Sequence, residues 1–275
     1  MGLLTLAAEL QWLWAALLVY VTAGSLAVAG VTLDRRPERL VLALIVGGLL
    51  LHTASLTLRW MRLGHGPFIT LYEILSSNVW SLTLILAIVY WKVRAVRPAA
   101  AVAMPVLFLL MAWLLVARPD AGHLPPTYNT LWLYVHVVLG KVFLGAVLVA
   151  VGISGVVLLR RAGLTLAGFA RLPGDERLED LSFRFMILGF LFETLMLIAG
   201  AIWAQGAWGR YWAWDPLETW AFMTWLTVAF FIHLRATTRL SPHVSAIAVI
   251  VVFVLAFLTF FGVPFVSTAP HKGAI

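Results

Sequence analysis

The 275-residue chain contains no cysteine. Disulfides, thiolate metal sites and a nucleophilic thiol of its own are therefore excluded. Charge is scarce as well: Asp, Glu, Lys and Arg make up 11% of the residues against 63% hydrophobic, and the mean hydropathy is +0.99. No soluble domain needs that much apolar surface, so the composition predicts an all-α polytopic integral membrane protein. No charged region precedes the first apolar run, which is long enough to span and reads as a membrane helix, not a cleavable signal. Neither a repeat nor a separate soluble domain is visible. Residues 1–275 read as one transmembrane domain.

What is present is a series of eight apolar runs: Leu10–Leu33, Leu40–Leu58, Ile69–Tyr90, Ala99–Ala117, Leu131–Leu159, Phe185–Ala204, Leu217–Leu234 and Val244–Phe265. Each is expected to be a helix, because lipid offers backbone groups no other partner. The connections alternate in charge. One set holds thirteen basic residues: Arg35, Arg36, Arg39, Lys92, Arg94, Arg97, Arg160, Arg161, Arg171, Arg177, Arg184, Arg235 and Arg239. The opposite set holds five: Arg59, Arg62, Arg118, Arg210 and Lys272. The excess assigns the first set to the cytoplasm and both termini to the outer, periplasmic side. Topology thus accounts for the net charge of +7, and nucleic acid drops out as a partner. Membrane lipids remain. The longest inner connection, Arg160 to Arg184, reads as a short surface connector with at most a turn of interfacial helix.

Between the sixth and seventh runs lies WGRYWAWDPLETW, residues 208–220, within an outer loop placed at about 205–220. It interleaves Trp208, Trp212, Trp214, Trp220 and Tyr211 with Arg210, Asp215 and Glu218. An interfacial aromatic belt is one reading. A flat platform for a flat, apolar, anionic ligand is the other, because belts scatter one or two rings per helix end without interleaved acids.

Seven histidines sort by depth. His136, near the outer end of the fifth run, and His271, in the outer tail, share the side of the tryptophan stretch. Two imidazoles on opposite faces of a porphyrin would supply iron with both axial nitrogens; each taken alone can equally be a hydrogen-bonding or solvated residue. His233 ends the seventh run on the cytoplasmic side. His52 is the most deeply placed and fits a neutral imidazole bonded to a neighbouring helix as well as any ligand role. His65 and His123 lie in outer loops, solvated or loop-structuring, and His243 carries no assigned chemistry. Glu73 and Glu193 are costly in lipid unless neutral or paired, with Lys141 a candidate partner for either and Asn78 a candidate for the Glu73 network.

The tryptophan stretch resembles the WWD motif of the membrane proteins that handle haem during cytochrome c assembly, in the form WGxxWxWDxxETW of the CcsA family of the system II cytochrome c synthase. RWMRLGHGPFITLYEILSSNVW is similar to the family's GHxP and LYE segment, WLYVHVVLGK to the segment with its first external histidine, FFIHLRATTR to that with its transmembrane histidine, and APHKG to the site of its second external histidine. The resemblance covers most of the chain, in the family's order; the tail matches only loosely.

The resemblance implies a bacterial inner-membrane protein that takes haem b as bound substrate. His233 would receive haem near the cytoplasm, and His136 and His271 would ligate its iron outside, against Trp208, Trp212, Trp214 and Trp220. Asp215 and Glu218 would order the loop or bind apocytochrome c. By charge and geometry, Arg210, or else Arg59 or Arg62, would pair with the propionates, a lipid phosphate being the alternative contact for each. The implied activity is that of a holocytochrome c synthase, attaching haem to CxxCH in complex with a CcsB (ResB-like) membrane subunit. A haem exporter without synthase activity shares the same residues, and a quinone-linked cytochrome anchor fits less well, because His52 and His233 lie near opposite sides.

Overall fold

The computed structural model describes residues 2–164 and 166–263, with side chains from residue 8 onward. His271 and Lys272 lie outside the described residues. Every regular element among those described is helical: α1 (Gly2–Thr32), α2 (Glu38–Leu63), α3 (Leu71–Lys92), α4 (Ala100–Val116), α5 (Leu131–Arg161), α6 (Asp175–Trp208), α7 (Pro216–Thr237) and α8 (Pro242–Phe257). All eight expected spans are present. α4 reaches spanning length with the 3-10 turn Arg94–Ala99 that leads into it, and α8 with the π-helical turn Leu258–Gly262 that follows it.

Helix ends obey local chemistry. Gly64 and Gly209 close α2 and α6 in the left-handed conformation, each at φ 76°. α3 opens with a reciprocal capping box in which the Thr70 hydroxyl accepts from the Glu73 N–H and the Glu73 carboxylate from the Thr70 N–H. Pro216 and Pro242 start α7 and α8, where a missing N–H costs nothing. α6 begins at Asp175, ten residues before the apolar run that announced it. Hydropathy could not show this turn, because charge builds it: Asp175 and Glu176 favour the N-terminus, and Asp175 and Glu179 pair with Arg160 and Arg235.

The helices form two compact units, Met1–Gly122 with Gly163–Pro173, and His123–Ala162 with Gly174–Ile275. In the first, α1 and α2 approach closely at Gly48, where an added Cβ would stand 2.5 Å from the Tyr20 ring. A buried ion network ties three of its helices together. Arg59, with 2% of its side chain exposed, lies 2.9 Å from both Glu9 and Glu73 and donates to the carbonyls of Pro119 and Asp120. Arg62 adds a second cation on Glu9 at 2.9 Å. This places the partner of Glu73 at Arg59, not Lys141, and commits two of the three arginines that had been considered for propionates, Arg59 and Arg62. Asn78 bonds instead to the carbonyl of Ile74.

In the second unit α5 is enclosed by α6 and α8, and its residues from Phe143 to Val157 are buried almost all round. Such a helix needs no polar stripe. A small residue seats it against α6 at Gly140, where an added Cβ would stand 2.9 Å from the Met196 sulfur, whereas an Ala at Gly189 would make only ordinary contacts with α5, the nearest at 3.5 Å. Hydroxyl pairs add specific bonds in lipid: Ser154 with Ser182 at 2.8 Å and Thr224 with Thr259 at 2.9 Å.

Candidate functional site

Within the stretch 208–220, residues 209–215 form a loop between two helices. Trp208 is the last residue of α6, and Asp215 is the N-cap of α7. The Asp215 carboxylate accepts the Glu218 N–H at 2.9 Å, and the Glu218 carboxylate reaches back to the Ala213 N–H at 2.7 Å. Both acids thus act on the loop backbone. Between them Trp214 is held at φ 59°, unusual for a side chain of this size, with its residue 66% exposed.

Three of the four tryptophans divide between two clusters. Trp208 packs edge-on against Trp203 at 4.9 Å and donates from Nε1 to the Tyr128 hydroxyl at 2.7 Å, while Trp203 donates to the Tyr128 carbonyl at 3.0 Å. Trp212 and Trp214 meet edge-on at 5.6 Å and both abut Phe222. Phe222 stacks on Trp225, and Trp225 on Phe190, which continues the second cluster down α7 and α6. The indole N–H of Trp212 is buried with no hydrogen-bond partner among the described residues. Trp220, in the first turn of α7, is 37% exposed, and its carbonyl accepts from Thr224 and Thr259.

His136 stands beside the first cluster. Its ring is nearly parallel to that of Trp203, 14° apart with centroids at 6.4 Å. Nδ1 lies 2.9 Å from the Met196 carbonyl. A carbonyl only accepts, so this bond puts a proton on Nδ1, and in the neutral ring the lone pair is then on Nε2, the arrangement in which an imidazole binds metal through Nε2. The ring fits because residue 200 is glycine: a Cβ there would stand 2.7 Å from Nδ1. Trp203, Tyr128, Met196 and Gly200 were not singled out in the sequence. Trp203 is spaced as an ordinary interfacial ring, and the others work through backbone atoms or a missing side chain, or from the turn before α5.

The remaining candidates lie elsewhere. His233 is exposed near the end of α7, thirteen residues beyond Trp220, about 20 Å along the axis at 1.5 Å per residue. Arg210 is exposed and makes no ion pair among the described residues. His52 is fully buried and bonds to Ser76 on α3 at 2.9 Å, as the helix-bonding reading expects. His65 is loop-structuring, buried between the carbonyls of Gly66 and Gly122. Glu193 is fully buried on α6 with neither carboxyl oxygen bonded among the described residues. No cluster of three or more His, Asp or Glu is placed to hold a metal ion among the described residues. A single imidazole on an aromatic wall can instead give one axial ligand to a metal that arrives in its own macrocycle.

Fold and site define a multi-pass helical membrane protein with an acid-pinned tryptophan loop and a tautomer-fixed histidine at adjoining helix ends. Residues 68–271 match the family model of the cytochrome c assembly protein. The chain is 33% identical to the cytochrome c biogenesis protein CcsA of Synechococcus sp. (strain CC9902), with 94% of each chain covered. It is 34% identical to the CcsA of Parasynechococcus marenigrum (strain WH8102), over 81% of this chain and 82% of that one. Among solved structures, the cytochrome c heme lyase CcmF superposes with a TM-score of 0.72 at 18% identity, covering 98% of this chain. The chain spans about half (48%) of that CcmF chain, and the likeness is one of fold. The chain belongs to the cytochrome c assembly protein family, and its function lies in cytochrome c biogenesis.

Proposed function

We propose that the protein delivers haem b to the outer face of the bacterial inner membrane and holds it there for attachment to the CxxCH segment of apocytochrome c. The observation that carries this reading is the seating of His136, whose ring is bonded through Nδ1 to the Met196 carbonyl and lies nearly parallel to Trp203 beside the tryptophan loop. His136 is one axial ligand; His271, outside the described residues, is the other. Trp208, Trp212, Trp214 and Trp220 supply the apolar wall, and exposed Arg210 a fork for a propionate. His233, at the other end of α7, receives haem on the cytoplasmic side.

The chemistry asks little of the protein's own groups. Each substrate thiol adds across a haem vinyl group: a C–S bond forms, the thiol proton passes to the other vinyl carbon, and no net redox change occurs. The chain has no cysteine, so both thiols come from the apocytochrome. The protein contributes proximity and orientation, which account for much of the barrier in such additions. The peptide's histidine then replaces one external ligand, and the product leaves. In this reading a CcsB (ResB-like) membrane subunit completes the enzyme, a holocytochrome c synthase.

Co-expression with an apocytochrome c, with and without that subunit, followed by a denaturing gel and haem stain, tests the reading. Covalent haem only in the presence of both membrane chains is expected. Haem that copurifies and reaches the outer side without covalent product in either arm makes the protein an exporter. Unchanged haem content and maturation in His136→Ala and His271→Ala removes the external bis-histidine site.

A further inference from the structure

The first unit has a half-open hollow of about 350 Å³ where α1 ends and α2 begins. Its size lies within the range of small-molecule sites, about 300–1,000 Å³. Five arginines line it: Arg35, Arg36, Arg94, Arg97 and Arg171. Two are neutralised. Arg97 pairs with Glu38 at 2.6 Å and also donates to the Tyr90 carbonyl, and Arg171 pairs with Asp34. Arg35, Arg36 and Arg94 make no side-chain hydrogen bond or ion pair among the described residues. Pro37, at the N-cap of α2, offers no side-chain acceptor, and the one acid of the first turn, Glu38, is the residue paired with Arg97. Arg35, Arg36 and Arg94 are all exposed, and together they present uncompensated positive charge to the solvent-facing side of the hollow.

We propose that this cavity binds the phosphate headgroup of an anionic phospholipid. Guanidinium forks match phosphate oxygens in geometry and charge, and basic pockets between membrane helices are built for such headgroups. The position selects a lipid over a soluble anion. The site lies where apolar spans give way to polar connections, at the end of the helices that carries the chain's basic excess. Trp91, 57% exposed, sits one turn from Arg94 with the Lys92 ammonium 4.0 Å from its ring centre, as interfacial residues do. Leu33 and Leu40, 64% and 55% exposed, bracket the Asp34–Arg39 connection and offer apolar surface to an acyl chain. Gly30, Val31 and Val41 close the cavity floor.

Native mass spectrometry of the full chain, purified in mild detergent and titrated with phosphatidylglycerol, cardiolipin or phosphatidylethanolamine, tests the assignment. Wild type is expected to retain one anionic lipid in preference to the zwitterionic one. The Arg36→Gln, Arg94→Gln double variant should bind it roughly thirtyfold more weakly, and Arg94→Gln alone, should the double variant lose stability, roughly fivefold. Arg161→Gln with Arg239→Gln removes two exposed basic residues that do not line the cavity and should leave binding unchanged. Retention by the cavity variants equal to wild type, or an equal loss from the control pair, overturns the site. Inorganic phosphate that displaces the lipid at equal concentration overturns the lipid as its occupant.

Discussion

His136 rests on the backbone of α6 at Gly200, where a Cβ would lie 2.7 Å from Nδ1 and 2.9 Å from Cε1 of the ring. The missing side chain is therefore part of the histidine's environment. Gly200→Ala is expected to displace the ring, break the bond to Met196 and lower retained haem by roughly 10–100-fold, the range for losing a group that orients a metal ligand. Added imidazole should restore much of it. Gly189→Ala on the same helix meets nothing closer than 3.5 Å and should leave the haem spectrum unchanged. Absorbance of the purified proteins across the haem Soret band checks both.

Asp215 and Glu218 can be separated into cap and charge. Asp215→Ala should cost about 1 kcal/mol as a lost N-cap, whereas Asp215→Asn keeps the acceptor and should cost little. Glu218→Ala leaves the Ala213 N–H without its partner, at about 1–3 kcal/mol, and Glu218→Gln should restore it. Thermal unfolding and amide exchange at Ala213 and Glu218 read the loop directly. If the two amide variants hold the loop and still fail to mature cytochrome c, the negative charges serve the incoming peptide.

The Glu9, Arg59, Glu73 network should dominate the stability of the first unit. Arg59→Ala leaves buried Glu73 without a cation and Glu9 with Arg62 alone, and is expected to cost about 3–5 kcal/mol, while Arg184→Ala, which breaks an exposed pair with Asp180, should cost at most about 1 kcal/mol. Denaturation in micelles distinguishes them. Equal effects would mean that the buried network holds nothing together.

Glu193 calls for the opposite expectation. Its carboxyl is fully buried without a hydrogen bond among the described residues, so Glu193→Leu should raise stability by about 1–3 kcal/mol. A lower melting temperature in the same detergent would show that the group holds a partner.

The spans were legible because lipid enforces one solution for the backbone, and WGRYWAWDPLETW was legible because its composition fits no ordinary helix end. The seating of His136 was not. It depends on a carbonyl, a glycine and a tryptophan from a helix sixty residues away, and none of these has a side-chain signature in sequence. The start of α6 was hidden for a related reason: ion pairs make that turn helical, and hydropathy is blind to them. Arg59 and Arg62 misled because a basic residue near a helix end looks the same whether it faces a ligand or, as here, the acids Glu9 and Glu73.

Trp214 shows what the loop contributes over time. Its left-handed backbone costs on the order of 1–3 kcal/mol, met once, when the chain folds around the Asp215 cap and the Glu218 brace. If the loop is the haem wall proposed above, a backbone braced in this way has no slow closing step to perform. Capture of a ligand on this wall should accordingly follow a single concentration-dependent phase, and Trp214→Gly, which relaxes the backbone and removes the ring together, should weaken capture without adding a second phase.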